Sequence, residues 1–179
     1  MIDGVDISTV PQLLLRQRIS VVVQEPMLFS DSLRKNLDPE SSFDDADIWA
    51  VLAQVKMSVK VGALAHKLMT EVAQAGNNFS LGERQLLCMA RALLRRSRIL
   101  VLDEATAAVD IQADRIIQDS VSRAKLQGVT VLTIAHRLST VLEYDRIVVL
   151  DHGRVAEVGT PDELRADPRS LLSQLIRSM

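Results

Sequence analysis

The sequence predicts a largely parallel α/β sheet with an inserted helical lobe, and three observations lead there. Apolar, mostly β-branched runs at 19–23, 99–102, 129–134 and 146–150 read as strands. Helical patterns separate the later runs, and parallel neighbours need such crossovers. Between the first run and Ser80 no convincing strand occurs, so that stretch reads as a helical insertion.

Taken in order, Asp3-Gly4 marks a tight turn in a short hairpin remnant, and Ser8 is a plausible helix cap. Pro11 suits the first position of a helix of one or two turns over 11–17. The run Ile19-Ser20-Val21-Val22-Val23 is a strand that ends at Gln24-Glu25-Pro26. From residue 32 to about 75 the pattern is helical, broken at Leu37-Asp38-Pro39. Residues 44–55 place Ile48, Val51, Leu52 and Val55 at helical spacing behind an acidic first turn, which the helix dipole favours. Another short helix is expected at 62–69 and a loop at 76–78.

Ser80 with Glu83 three residues later forms a capping-box pattern, so a helix should run to about Arg95 on an apolar face of Leu86, Leu87, Ala90, Leu93 and Leu94. The strand 99–102 ends in Asp103-Glu104. A helix follows Asp110 to about Leu126 and is closed by Gly128. The strand 129–134 leads into Ala135-His136, and a brief helix over 138–142 precedes the strand 146–150. An Asp151-His152-Gly153 turn connects to 155–158. Thr160-Pro161 starts the next helix, and 170–179 forms an amphipathic last one.

At 179 residues with 47% apolar content the chain can bury a core of ordinary size. A net charge of -2 gives no general attraction to nucleic acid. The local cluster Arg91, Arg95, Arg96 and Arg98 has few aromatic companions, so no nucleic-acid partner is expected. Cys88 is the only cysteine and sits in an apolar run, where a buried structural thiol is the natural reading. No apolar run reaches the length of a membrane span, so no direct span is expected.

The chemistry-bearing feature is Ile99-Leu100-Val101-Leu102-Asp103-Glu104. It places two carboxylates at the C-terminal tip of a buried strand, where open α/β sheets bind ligands. One acid can serve Mg²⁺ while the other serves a water, and hard oxygen donors suit that ion. By itself the motif fits a nucleotide site and surface or capping acids equally well. His136 follows the next strand and Gln24 follows the first, so a parallel sheet would bring all four groups to one edge. No Gly-x-x-x-x-Gly-Lys phosphate loop occurs in the sequence.

Five motifs in order then resemble the nucleotide-binding domain of ABC transporters. Phe79-Ser80-Leu81-Gly82-Glu83-Arg84-Gln85 resembles the family signature, and 99–104 the Walker B strand with its catalytic glutamate. Ala105 to Asp110 is similar to the D-loop, Ile134-Ala135-His136-Arg137-Leu138 to the switch-histidine loop, and Val23-Gln24-Glu25-Pro26 to the Q-loop. Leu33-Arg34-Lys35-Asn36-Leu37-Asp38-Pro39 and Asn78-Phe79-Ser80 further resemble the second such domain of the multidrug-resistance-associated (C) subfamily.

The resemblance implies a P-loop NTPase-like, ABC ATPase fold that is incomplete at its N-terminus. Its implied parts are a core remnant with the Q-loop over 1–26, a helical subdomain over 27–96, a catalytic core over 97–160 and C-terminal helices over 161–179. It implies ATP and Mg²⁺ as cofactors, with Asp103 and Gln24 at the metal and Glu104, His136 and Gln24 at the hydrolytic water. Ser80, Gly82 and Glu83 would address nucleotide held by a second, head-to-tail nucleotide-binding domain, and Asp110 would lie at the seam. Transmembrane domains of an exporter would be the other partner. The location would be the cytoplasmic face of a membrane, or the cytosol for the isolated chain.

Two signature positions depart from the family pattern: Leu81 stands for a Gly and Glu83 for a Gln. Glu83 either caps the helix, which is expected, or faces phosphate and weakens binding in trans. The absence of the phosphate loop and its neighbouring strand and helix leads to further expectations: apolar surface that a complete domain buries is exposed, the isolated fold is marginal and the isolated chain is inactive. A non-catalytic module that pairs with an intact nucleotide-binding domain is the alternative reading. An ABC-like DNA-repair ATPase is disfavoured by the C-type motifs.

Overall fold

The computed structural model describes residues 1–104, 111–135 and 138–177, arranged as two compact units, Met1–Ile134 and Ala135–Met179. In the first unit an Ile2–Val5 bridge closes the Asp3-Gly4 turn, and a 3₁₀ turn at Ile7–Thr9 is capped by the Asp6 carboxylate, which accepts from Ser8 N. Helix α1 (Gln12–Arg18) then runs into β1 (Ile19–Val22). The lobe that follows contains α2 (Leu33–Leu37), α3 (Asp45–Gln54) and α4 (Ser58–Ala63), with 3₁₀ turns at Lys67–Met69 and Gln74–Gly76. It holds no strand, only an isolated Ser32–Glu71 bridge. Helix α5 (Leu81–Leu94) returns the chain to β2 (Ile99–Asp103), and α6 (Ile111–Leu126) leads to β3 (Thr130–Ile134).

One expected helix moves. The helix begins at Ser58 instead of residue 62 and stops at Leu64, whose backbone is extended. Val61 and Leu68 are both buried but belong to separate short segments, so no continuous helical stripe spans 62–69.

The three strands form a parallel sheet in the order β1-β2-β3, with Val22 opposite Leu102 and Asp103 opposite Ile134. Alternation assigns the two faces. Ser20, Val22, Leu100 and Leu102 are 2–3% exposed, on the face where α5 packs on β1 and α6 on β3. Ser20 is satisfied there by a 2.7 Å hydrogen bond with Ser97 Oγ and a 3.3 Å bond to Ala92 O. The opposite face carries the row Val21, Val101, Leu132, in which Val21 is 56% and Leu132 58% exposed. This row leaves part of the sheet's apolar surface exposed.

The second unit contains α7 (Leu138–Val141), the hairpin of β4 (Ile147–Asp151) and β5 (Arg154–Gly159), α8 (Pro161–Ala166) and α9 (Leu171–Arg177). The hairpin is antiparallel, and its two loop residues His152 and Gly153 both have positive φ, the signature of a type I′ turn. A capping box of Thr160 and Glu163 starts α8. Glu157 on β5 accepts from Leu171 N and Ser170 Oγ and so fixes the start of α9.

The two sheet faces differ in what a substitution costs. Leu102→Ala should destabilise the first unit by about 2–5 kcal/mol, the range for a buried leucine. Leu132→Thr on the bare face should stay within about 0.5 kcal/mol. Urea denaturation midpoints of the two variants measure the contrast, and equal losses would mean that the second face is covered in solution.

Candidate functional site

The register of the parallel sheet builds the site. Val22 lies opposite Leu102, so Gln24 and Glu104 each follow a paired residue by two positions at the C-terminal ends of β1 and β2. The Gln24 amide donates from Nε2 to Glu104 Oε2 at 3.0 Å, joining positions 80 residues apart in sequence. Asp103 is the last residue of β2 and half-buried.

Glu104 has φ +47°, in the left-handed region where a residue other than glycine costs on the order of 1 kcal/mol or more. Its N–H nevertheless donates to Ile134 O at 3.0 Å, carrying the β2–β3 ladder one residue past the strand. The strain therefore sits between a backbone bond on one side and a side-chain bond on the other. The left-handed backbone at Glu104 breaks the strand geometry immediately after Asp103, so the two adjacent acids need not simply alternate across the sheet.

His136 lies two residues past Ile134, which pairs with Asp103, but it falls outside the described residues, as does Asp110. Among the described residues no cluster of three or more His, Cys, Asp or Glu side chains could hold a metal ion. Asp103, Glu104 and the Gln24 amide offer oxygen donors only. That sparse, hard set suits Mg²⁺, which keeps several of its own waters and takes few protein ligands.

Ser80, Gly82 and Glu83 form a separate cluster at the start of α5. Ser80 Oγ accepts from Glu83 N at 3.2 Å, and Glu83 Oε2 accepts from Ser80 N at 2.9 Å, the reciprocal capping box. Glu83 Oε1 takes an ion pair from Lys60 on α4. Both carboxylate oxygens are thus engaged within the protein, as the capping role requires. Burial acts to raise the Glu83 pKa, but the Lys60 and Ser80 hydrogen bonds outweigh it and hold the group below its ordinary range. Ahead of the box, Gly76 has φ +73° and a Cβ there would meet Arg84 Cδ at 2.8 Å, so only glycine fits that corner.

Three side chains to which the sequence reading gave no part in the site hold the loop that carries Gln24. Gln85 Nε2 donates to Val23 O at 3.3 Å, and Arg91 donates to Met27 O at 3.2 and 3.3 Å and to Asn36 O at 2.7 Å. Asn36 accepts from Phe29 N at 2.7 Å and donates to Phe29 O at 2.9 Å. Gln85 and Asn36 are each 1% exposed. Polar residues inside apolar helical stripes were the available sign. A cavity of about 540 Å³ opens elsewhere, between Arg98 and Val129 just before β2 and β3, at the sheet end opposite the acids.

Comparison with known proteins decides the family. The model for ABC transporters matches residues 1–107, more than half of the chain. The chain belongs to the ABC transporter family. It is 48% identical over 168 residues to the human ATP-binding cassette sub-family C member 2, covering 94% of this chain and 11% of that protein. The probable multidrug resistance-associated protein lethal(2)03659 of Drosophila melanogaster is 50% identical over 150 residues, covering 84% of this chain and 11% of that protein. This ABC chain thus spans about a tenth of the length of these relatives. The solved structure of a bacterial Atm1-family ABC exporter with ATP bound superposes with a TM-score of 0.90 at 34% identity. It covers 99% of this chain and 31% of that one, so the α/β ATPase fold with its helical subdomain is shared. The chain is a nucleotide-binding-domain-like region related to both groups. Among the described residues no helix is long and apolar enough to cross a membrane.

The capping box gives a direct test. Ser80→Ala should cost about 1 kcal/mol, whereas Glu83→Gln should cost less, because glutamine also closes the box. Glu83 binds its proton less readily folded than unfolded, so its contribution is present above the ordinary glutamate pKa and lost as pH falls through its lowered value. Acid titration of the denaturation midpoint should therefore show a smaller loss in Glu83→Gln than in the parent, and identical curves would count against the paired carboxylate.

Proposed function

We propose that this chain is the carboxylate-bearing part of the ATP-hydrolysing domain of a C-type ABC exporter, resembling that subfamily's second nucleotide-binding domain. The observation that carries the reading is the Gln24–Glu104 contact at the tips of adjacent parallel strands, beside Asp103. Mg²⁺ would neutralise charge on a bound triphosphate, and Asp103 and Gln24 are the residues that would hold it. Glu104 accepts a proton and orients the attacking water, with His136 as the further group at the phosphate. Such chemistry depends on positioning and electrostatics more than on covalent catalysis. Ser80 and Gly82, at the N-terminus of α5, would face nucleotide held by an opposing domain, where backbone N–H groups favour anions. Transmembrane domains would receive the work, at the cytoplasmic face of a membrane.

Two experiments test this. In an assembly that supplies a phosphate-binding loop and a partner domain, Glu104→Gln should abolish steady-state hydrolysis while ATP binding survives, and His136→Ala should lower the rate on the order of a hundredfold. An unchanged rate in folded Glu104→Gln would sink the proposal.

The 179-residue chain by itself should show no ATPase activity. Its sequence supplies no lysine-bearing phosphate loop to offset the triphosphate's charge beside two carboxylates. Isothermal titration with Mg-ATP and phosphate release against the Glu104→Gln control measure this. Micromolar affinity, or release that disappears in that control, would show that the loop is dispensable.

A further inference from the structure

Gln24 reaches Glu104 from a segment with no regular structure of its own, since residues 24–30 contain neither helix nor strand. A side chain on such a segment is only as well placed as the anchors around it. Here both anchors come from one helix. Before Gln24, the carbonyl of Val23 accepts from Gln85; after it, the carbonyl of Met27 accepts from Arg91 and more weakly from the Cys88 thiol at 3.7 Å. Gln85, Cys88 and Arg91 recur every third residue along α5, so they form a line on one side of the helix.

The farther anchor is the more elaborate. The Arg91 guanidinium bonds Asn36 O through Nε and lies 5.4 Å from the centre of the Phe29 ring. Burial pushes the Arg91 pKa down, yet guanidinium remains charged in proteins, so the site holds a desolvated cation against neutral carbonyls and a ring. Asn36 grips Phe29 at both its N–H and its carbonyl. A buried amide or guanidinium is costly unless it is hydrogen-bonded, and apolar side chains would fill the same space without that requirement. These polar groups specify where the loop lies.

We propose that Gln85 and Arg91 are positioning residues for Gln24. Through them α5, the helix that opens with Ser80 and Gly82, sets the reach of Gln24 to Glu104. The proposal rests on the reading of Glu104 as the hydrolytic carboxylate.

A purely structural role predicts something different, namely lost stability with no dependence on Gln24. The test is a double-mutant cycle in the complete transporter assembly, using Gln24→Ala, Gln85→Leu and the pair. Gln85→Leu should lower kcat about tenfold, as modest misplacement of a reacting group does, with KM for Mg-ATP within about twofold. In the Gln24→Ala background the same substitution should change kcat by less than about twofold, because the group it positions is gone. Arg91→Lys, which keeps the charge but not the fork, should follow the same pattern and replaces Gln85→Leu if that variant fails to fold. Amide exchange at Gln24, Glu25 and Met27 should quicken in either variant. Equal factors in both backgrounds, or an unchanged kcat in the folded single variants, would overturn the proposal. An active Glu104→Gln control would instead remove the functional reading beneath it.

Discussion

Helix α5 meets two demands with fourteen residues. It must fill the space between the helical lobe and the sheet, and it must satisfy the carbonyls of the chain that passes between them. Leu87, Met89, Ala90 and Leu94 meet the first demand, each no more than 1% exposed. Gln85 and Arg91 meet the second. The same helix packs against α2, α3, α6 and β1, so the lobe and the sheet share a single core element. Arg95 and Arg96, just past its end, extend the hold to the lobe through Glu40 and Asp47. These exposed pairs add little energy each, but they show that Arg91, Arg95 and Arg96 bind the protein's own carboxylates and carbonyls.

From that helix the site follows by register. Parallel pairing leaves the C-terminal ends of β1, β2 and β3 at one edge, and the backbone bond from Glu104 to Ile134 keeps that edge ordered beyond the last ladder residue. Two adjacent acids on a continuing strand would alternate faces. The left-handed backbone at Glu104 breaks that alternation, and there its N–H donates to Ile134 O while its carboxylate accepts from Gln24. Local strain held in place by surrounding bonds is common where geometry matters to function.

Much of this was legible in the sequence because its cause was local. The capping box at Ser80, the His152-Gly153 turn and the strand tip at Asp103-Glu104 depend on residues within a few positions of one another. The parallel sheet was legible because strand and helix patterns alternate. What escaped was set by partners far along the chain. Asn36 reads as an ordinary polar residue in a short helix, and nothing local says that it will be buried against Phe29. Arg91 reads as one arginine of a basic cluster, although its partners lie 55 and 64 positions away. The helix expected at 62–69 failed for a related reason: Val61 and Leu68 anchor two short segments to different neighbours, and the chain bends between them.

The departure at Glu83 shows how a charge can enter the signature-like segment at the start of α5 without standing free in it. At the third position of a helix, glutamate and glutamine make the same backbone contact, so the capping function survives the exchange. The remaining change is one negative charge near a helix N-terminus, which favours that charge through its dipole. Lys60 then supplies the opposite charge from α4, leaving the pair neutral overall. The carboxylate is bound from two sides, by its own helix and by a neighbour 23 residues earlier in sequence. A substitution that looks adverse from the motif alone is therefore matched by a residue outside the motif, and only the packing of α4 beside the start of α5 reveals the match.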